Sequence, residues 1–116
     1  YSANGSLTWT VDAGDVGVDS YVVFDKTMYW TTYLINTTTG GTTNSELRIA
    51  LPGGNTVSTA PASGTCSCYL NAAAGSCQWI AQASNNYVTI FTGFGGNYAL
   101  SSNNNSFSCT FVLAIS

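Results

Sequence analysis

"TMYWTTYLIN", residues 27–36, alternates large side chains with a period of two. Successive side chains point to opposite faces of a β-strand, so this spacing predicts a strand and not a helix. Apolar groups occur on both faces, so both faces are predicted to be covered. One face carries Met28, Trp30, Thr32 and Leu34, and the other carries Tyr29, Thr31, Tyr33 and Ile35.

The same period recurs in both directions from this segment. "SLTWTV" (6–11), "ELRIAL" (46–51) and "SFSCTFVLAIS" (106–116) alternate in the same way, and no segment shows helical spacing. Breakers such as "TTTGGTTN" (37–44), "GFGGN" (93–97) and "SSNNN" (101–105) predict turns between strands. Strands are predicted at residues 6–11, 19–26, 27–36, 45–51, 65–70, 77–83, 86–92 and 107–115. This pattern predicts one all-β domain over residues 1–116, an antiparallel β-sandwich or barrel of about eight strands.

The composition excludes several kinds of partner. The chain is 45% hydrophobic but only 6% charged, and Lys26 and Arg48 are its two basic residues. So little positive charge excludes a nucleic-acid interface and electrostatic docking on a membrane. No apolar run reaches the length of a transmembrane helix. A surface of neutral hydroxyls and amides is typical of proteins that work outside cells and pack against copies or neighbours.

Four cysteines, Cys66, Cys68, Cys77 and Cys109, are candidates for disulfide bonds. Cys66 and Cys68 are too far apart along one strand to bond each other, so each is expected to reach Cys77 or Cys109. A zinc site and free buried thiols are the alternatives, although a single C-x-C lacks the paired knuckles of most zinc sites. The pairing stays open at this point.

"VDAGDVGVDS", residues 11–20, holds three of the five carboxylates. Asp12, Asp15 and Asp19 are candidate calcium ligands, but their spacing differs from that of the EF-hand calcium loop. Aspartate also favours turns because its side chain bonds nearby backbone groups. We therefore expect a turn between two strands and no cofactor, with calcium as the alternative.

Catalysis is not expected of this chain. It contains no histidine, which removes serine–histidine and cysteine–histidine nucleophile pairs. Paired carboxylates can hydrolyse glycosides, but no acidic residue lies in a segment that resembles an apolar pocket. Asp25 and Lys26 are adjacent at a predicted turn, where two solvated charges are the ordinary explanation.

The second face of the 27–36 strand is the strongest candidate for a contact surface. Tyr29, Tyr33 and Ile35 predict that this face meets a symmetry mate, another domain or a ligand; a loop that covers it is the alternative. Exposed aromatic rings beside hydroxyls can also stack on sugars. Trp79, which alternation alone does not assign to a face, is a further candidate for such a contact.

Four segments in order carry a resemblance to known proteins: "LTWTVDAGDV", "DKTMYWTTYLINTTTGG", "LRIALPGG" and "GNYALSSNNNSFSCTFVLAIS". Together they resemble a group of phage and metagenomic virion domains, over most of the chain except residues 56–85. The resemblance implies a jelly-roll-like β-sandwich in a tail fibre, a head fibre or a capsid decoration. Such domains are often trimeric, and they contact host glycans or cement the shell. The cysteine-bearing segment departs from the group's pattern.

These observations lead to one expected function and two alternatives. The expectation is a non-enzymatic virion structural domain, at the virion surface or otherwise extracellular, that binds copies of itself and other virion proteins. A host glycan is a further expected partner. The alternatives are a secreted carbohydrate-binding module and an extracellular filament subunit, in which residues 1–11 would donate a strand to a neighbouring copy.

Overall fold

The computed structural model describes residues 1–93 and 96–116. In those ranges the chain forms nine strands and two short 3-10 turns, Ala13–Asp15 and Pro52–Gly54, and no α-helix. Residues 94 and 95, within the predicted turn "GFGGN", lie outside the described residues. The strands are β1 (Ser2–Ala3), β2 (Leu7–Thr10), β3 (Val16–Phe24), β4 (Thr27–Gly41), β5 (Glu46–Ala50), β6 (Ala62–Leu70), β7 (Ala73–Ala81), β8 (Tyr87–Phe91) and β9 (Ser101–Ala114).

The strands form a single antiparallel sheet that curls until its ends almost meet. The order is β1-β5-β8-β7-β6-β9-β4-β2, and β3 pairs with β4 beside β2. Two strands share one side of the long β4: β2 pairs with Thr38–Gly41, and β3 pairs with Thr27–Leu34. The predicted fold class, an antiparallel β-sandwich or barrel of about eight strands, is confirmed. The described residues include no helix of the length and apolarity that a membrane span requires.

Aromatic rings fill the space that the curled sheet encloses. Trp30 and Phe111 are buried with their ring centroids 4.7 Å apart, and the Trp79 ring meets Phe111 edge-on at 5.1 Å. The predicted inward face of β4 is confirmed, because Met28, Trp30, Thr32 and Leu34 are all buried. Alternation thus identified the core side of the central strand correctly.

The N-terminal residues are already part of the sheet. β1 pairs with β5 through Ser2 and Arg48, and β2 pairs with β4 through Trp9 and Thr39. Tyr1 packs edge-on against Trp9, with centroids 5.4 Å apart. The segment 1–11, expected as a donor strand in the filament alternative, therefore pairs within its own chain through residues 2–3 and 7–10.

Two predicted turns are strand instead. β4 continues through "TTTGG" and β9 begins at Ser101 within "SSNNN", so the two run side by side well beyond their apolar halves. Buried polar side chains make this possible: Asn105 donates to the Thr39 hydroxyl (3.0 Å), and the Thr37 hydroxyl donates to the Asn105 carbonyl (2.8 Å). The turn prediction failed because these hydroxyls and amides satisfy one another inside the sheet.

All four cysteines form disulfide bonds in the core. Cys66 on β6 bonds Cys109 on the neighbouring β9, and Cys68 bonds Cys77 on β7. The Cα atoms are 4.7 Å and 6.0 Å apart, within the range that disulfides span. The expectation that Cys66 and Cys68 reach different partners is confirmed, and the disulfides leave no thiol among the four for zinc.

We expect alkaline pH to destabilise this fold through Tyr98. Its hydroxyl is buried and donates to the Ile90 carbonyl at 2.9 Å, and burial raises the pKa of Tyr98 far above its usual value of 10. The unfolded chain loses this proton near pH 10 while the folded protein keeps it. The stabilising contribution is therefore full below pH 10 and falls as the pH rises above it, by at most about 1.4 kcal/mol per pH unit.

Urea denaturation at several pH values tests this expectation. Tyr98→Phe should lose about 1 kcal/mol at neutral pH, because the Ile90 carbonyl loses its donor. Above pH 10 the free energy of unfolding of Tyr98→Phe should fall less steeply than that of the native chain. Parallel curves above pH 10 would mean that Tyr98 titrates normally in the folded protein.

Candidate interaction surface

β3 is an almost fully exposed strand with an apolar sequence. Val16 is half-buried, and the other eight residues of "VGVDSYVVF" are exposed. Phe24, at the end of the strand, is 75% exposed. A strand this apolar is normally buried on at least one face, so β3 is the most unusual element of the fold.

The exposed side chains of β3 continue onto its neighbours as a row. Val22 lies opposite Tyr29 on β4, and Tyr29 lies opposite Val112 on β9. Their side chains are 59%, 49% and 47% exposed, in that order. Directly opposed side chains on one face are in contact range, so the three form a continuous apolar row across three strands.

Further exposed residues enlarge this row into a patch. Val18 lies opposite Tyr33, and Phe24 extends the patch toward the hairpin turn. We call the patch the outer apolar surface, made of Val18, Val22, Phe24, Tyr29, Tyr33 and Val112. Hydroxyl residues interrupt it, since Ser20 lies opposite Thr31 and Thr31 opposite Thr110. β4 and β9 contain no charged residue, and β3 contains only Asp19, which faces the inner side beside Thr32.

The structure places three of the four predicted contact residues on this side of the sheet. Tyr29 and Tyr33 are exposed, and Ile35 is half-buried further along β4. Trp79 was the wrong choice, because it is only 4% exposed and packs in the core against Phe111. An ideal Cβ at Gly64 would lie 2.6 Å from the Trp79 Nε1, so glycine at this position gives the buried ring its space.

Tyr69 is a surface residue that sequence reasoning missed. It is exposed on β6, and with Tyr33 it flanks a shallow groove of about 400 Å³. Alternation could have found it, because Tyr69 follows the buried Cys68 and must point the other way. The groove is lined by Tyr33, Ser67, Cys68, Tyr69, Ala74, Gly75, Ser106, Phe107 and Ser108. It therefore offers two aromatic rings beside serine hydroxyls.

The acidic segment forms a turn directly before β3, as expected from the sequence. The Asp12 amide donates to the Asp15 carboxylate at 2.9 Å, and the Asp15 amide donates to the Asp12 carbonyl at 2.9 Å. These bonds close the 3-10 turn that precedes β3. β3 begins at Val16, three residues before the predicted start at residue 19. Within the described part of the chain, no three acidic, histidine or cysteine residues gather as a metal site would require.

Asp19 has a separate structural role. Its carboxylate accepts a hydrogen bond from the indole nitrogen of the buried Trp30 at 2.7 Å. The only charge on β3 is thereby tied to the core ring beneath it. Partial burial raises the pKa of the Tyr1 phenol, and the negative charge of Asp19 raises it further.

Comparison of the chain with family models, with curated proteins and with solved structures finds no match.

Proposed function

We propose that this chain is a non-enzymatic structural domain of a virion, such as a fibre tip, a spike or a capsid decoration, that assembles with copies of itself. The outer apolar surface is the observation that supports the proposal most directly. Domains that act alone rarely expose this many large apolar side chains on one face of a sheet. Charged residues are also depleted where proteins bind each other, and β4 and β9 contain none.

The placement of the acidic residues supports a structural role over catalysis. Asp12 and Asp15 close a turn, and Asp19 accepts the Trp30 hydrogen bond. Glu46 forms an ion pair with Arg48 on the same strand at 2.8 Å. The carboxylates of Asp15, Asp19 and Glu46 each bind a partner within the fold, whereas a glycosidase needs two carboxylates free to act on the substrate.

Two core disulfides fit a protein that works in an oxidising environment. This agrees with a location at the virion surface or otherwise outside cells. Attachment to other virion proteins, and to host surfaces, belongs to the same proposal, since an uncharged apolar surface can bind either a copy or a neighbour.

Light scattering behind a sizing column tests self-assembly on the non-reduced protein. We expect a mass above the 12.1 kDa of a single chain. Val22→Glu, which places a charge on the part of the outer apolar surface that β3 contributes, should return the mass to one chain. Tyr69→Glu is the matched control, because Tyr69 is similarly exposed but lies outside that surface. A native protein that stays monomeric at all concentrations would refute the proposal.

The groove between Tyr33 and Tyr69 supports carbohydrate binding as a second candidate function. Aromatic rings present apolar faces to sugar C–H groups, and Ser67, Ser106 and Ser108 supply hydroxyls beside them. A glycan array with the native chain should then show saturable binding that Tyr69→Ala weakens and Val112→Ala leaves unchanged. Equal binding by both variants would remove this candidate.

A further inference from the structure

Seven consecutive residues of β3 form a regular strand with one side unpaired. A bulge interrupts the pairing with β4 between Val16 and Val18, and the hairpin turn Asp25–Lys26 ends the strand at its other end. Between these limits, Val18 to Phe24 pair with β4 without a break. Tyr21 is the middle residue of this segment. We call the backbone side of residues 18–24 that points away from β4 the free edge.

The hairpin turn determines which backbone groups point outward. Asp25 and Lys26 both have positive φ, 48° and 59°, which defines a two-residue turn of type I′. In such a turn the flanking residues, Phe24 and Thr27, bond each other. Bonded and non-bonded pairs then alternate along the strands. The residues of β3 whose N–H and C=O groups point away from β4 are Asp19, Tyr21 and Val23.

No strand in the described residues pairs with this edge. β3 pairs only with β4. The two strands at the ends of the sheet order, β1 and β2, are short and contact each other. The edge also lacks two residue types that commonly protect a strand against strand addition. Residues 18–24 contain no lysine and no proline, and their side chains are mostly apolar.

We infer that the free edge pairs with the same edge of a second copy, antiparallel and about a two-fold axis at Tyr21. In this register Val18 faces Phe24 of the second copy, and Ser20 faces Val22. All seven residues overlap only when Tyr21 is the centre, because the bulge and the turn limit the segment on both sides. The three outward residues of each copy would supply about six backbone hydrogen bonds.

Asp19, the one charged residue of the edge, fits the same register. Asp19 faces the apolar Val23 of the second copy and lies well away from its own equivalent. A shift that centres the pair on Asp19 would bring two carboxylates together, which costs free energy.

Pairing in this way also joins the two outer apolar surfaces. Val18, Val22 and Phe24 lie on the outer face of β3, so the second copy's equivalents continue that face across the two-fold axis. This inference rests on the proposed function, because it names the partner and the geometry of the self-assembly proposed there. It predicts pairs, whereas the resemblance implies trimers.

Disulfide trapping tests the register of the two paired β3 strands directly. Ser20 and Val22 face each other across the two-fold pair, at non-bonded positions whose Cα atoms lie about 4.5 Å apart, within disulfide range. We expect an oxidised mixture of Ser20→Cys and Val22→Cys to form a covalent heterodimer. Neither variant alone should form a covalent dimer. Native cysteines do not interfere, because all four are already paired.

The controls separate this inference from the proposed function. Tyr69→Cys, exposed but distant from the edge, should remain uncrosslinked in every mixture, and circular dichroism should show that each variant is folded. Light scattering should give twice the 12.1 kDa chain mass for the native protein. A mass of three chains, or association without trapping in the mixture, would overturn edge pairing and leave self-assembly standing. Trapping of Ser20→Cys alone would overturn the Tyr21 register, and a monomer would overturn both proposals.

Discussion

Phe111→Ala should lower the free energy of unfolding by about 3–5 kcal/mol. Phe111 is fully buried between Trp30 and Trp79, so its removal leaves a cavity and breaks two aromatic contacts. The Trp30 ring, tied to Asp19 by its indole nitrogen, is not free to move into the space. Little relaxation is available, which places the expected loss toward the upper part of that range.

Val112→Ala is the matched control for this prediction. Val112 is the next residue on β9, but it points outward and is 47% exposed. Its truncation should change the stability of the monomer by no more than about 0.5 kcal/mol. Urea denaturation of both variants in dilute solution gives the comparison. Equal losses for Phe111→Ala and Val112→Ala would mean that the core does not close around Phe111.

Removal of the Cys66–Cys109 disulfide is expected to be the second large loss. The bond closes a loop with a sequence separation of 43 residues, against 9 for Cys68–Cys77. The chain-entropy model gives about 4 kcal/mol for the longer loop and about 2.6 kcal/mol for the shorter one. The difference arises in the unfolded chain, which gains more freedom when the longer loop opens.

The double variants Cys66→Ala with Cys109→Ala, and Cys68→Ala with Cys77→Ala, test this difference. Both remove the same atoms from buried positions, so their packing losses largely cancel in the comparison. The first variant should be less stable than the second by about 1.4 kcal/mol. If the Cys68→Ala and Cys77→Ala double variant proved equally or less stable than the other, native packing around Cys68 would outweigh the effect of loop length.

The fold class was predictable because its signal is local. Alternation in β4 assigned Trp30 to the core and Tyr29 to the surface without knowledge of any other strand, and both assignments are correct. The failed turns depended on distant contacts. Asn105 is buried in a strand because Thr37 and Thr39, more than sixty positions away, supply its hydrogen bonds. Local propensity has no access to such partners.

The candidate surface was only partly predictable, for a related reason. The sequence of β3 resembles that of a buried strand, and its exposure depends on its place at the edge of the sheet. Trp79 was not assigned to a face, because its face follows from that of Cys77, two residues earlier, and the burial of Cys77 was not known from sequence. Tyr69 directly follows the buried Cys68 and therefore points to the opposite face. A correct disulfide pairing would have located both residues.

The position of β9 has a consequence for how the domain folds. It is the last strand in the chain order, yet it lies in the middle of the sheet between β4 and β6. Until β9 docks, β4 and β6 each present an unpaired edge, so the two parts of the sheet cannot join and the core around Phe111 cannot close. Such late, long-range pairing is typical of slow-folding β-proteins. The Cys68–Cys77 bond can form early, within the β6–β7 hairpin. The Cys66–Cys109 bond can form only after β9 has docked, so its presence marks a chain whose sheet is complete.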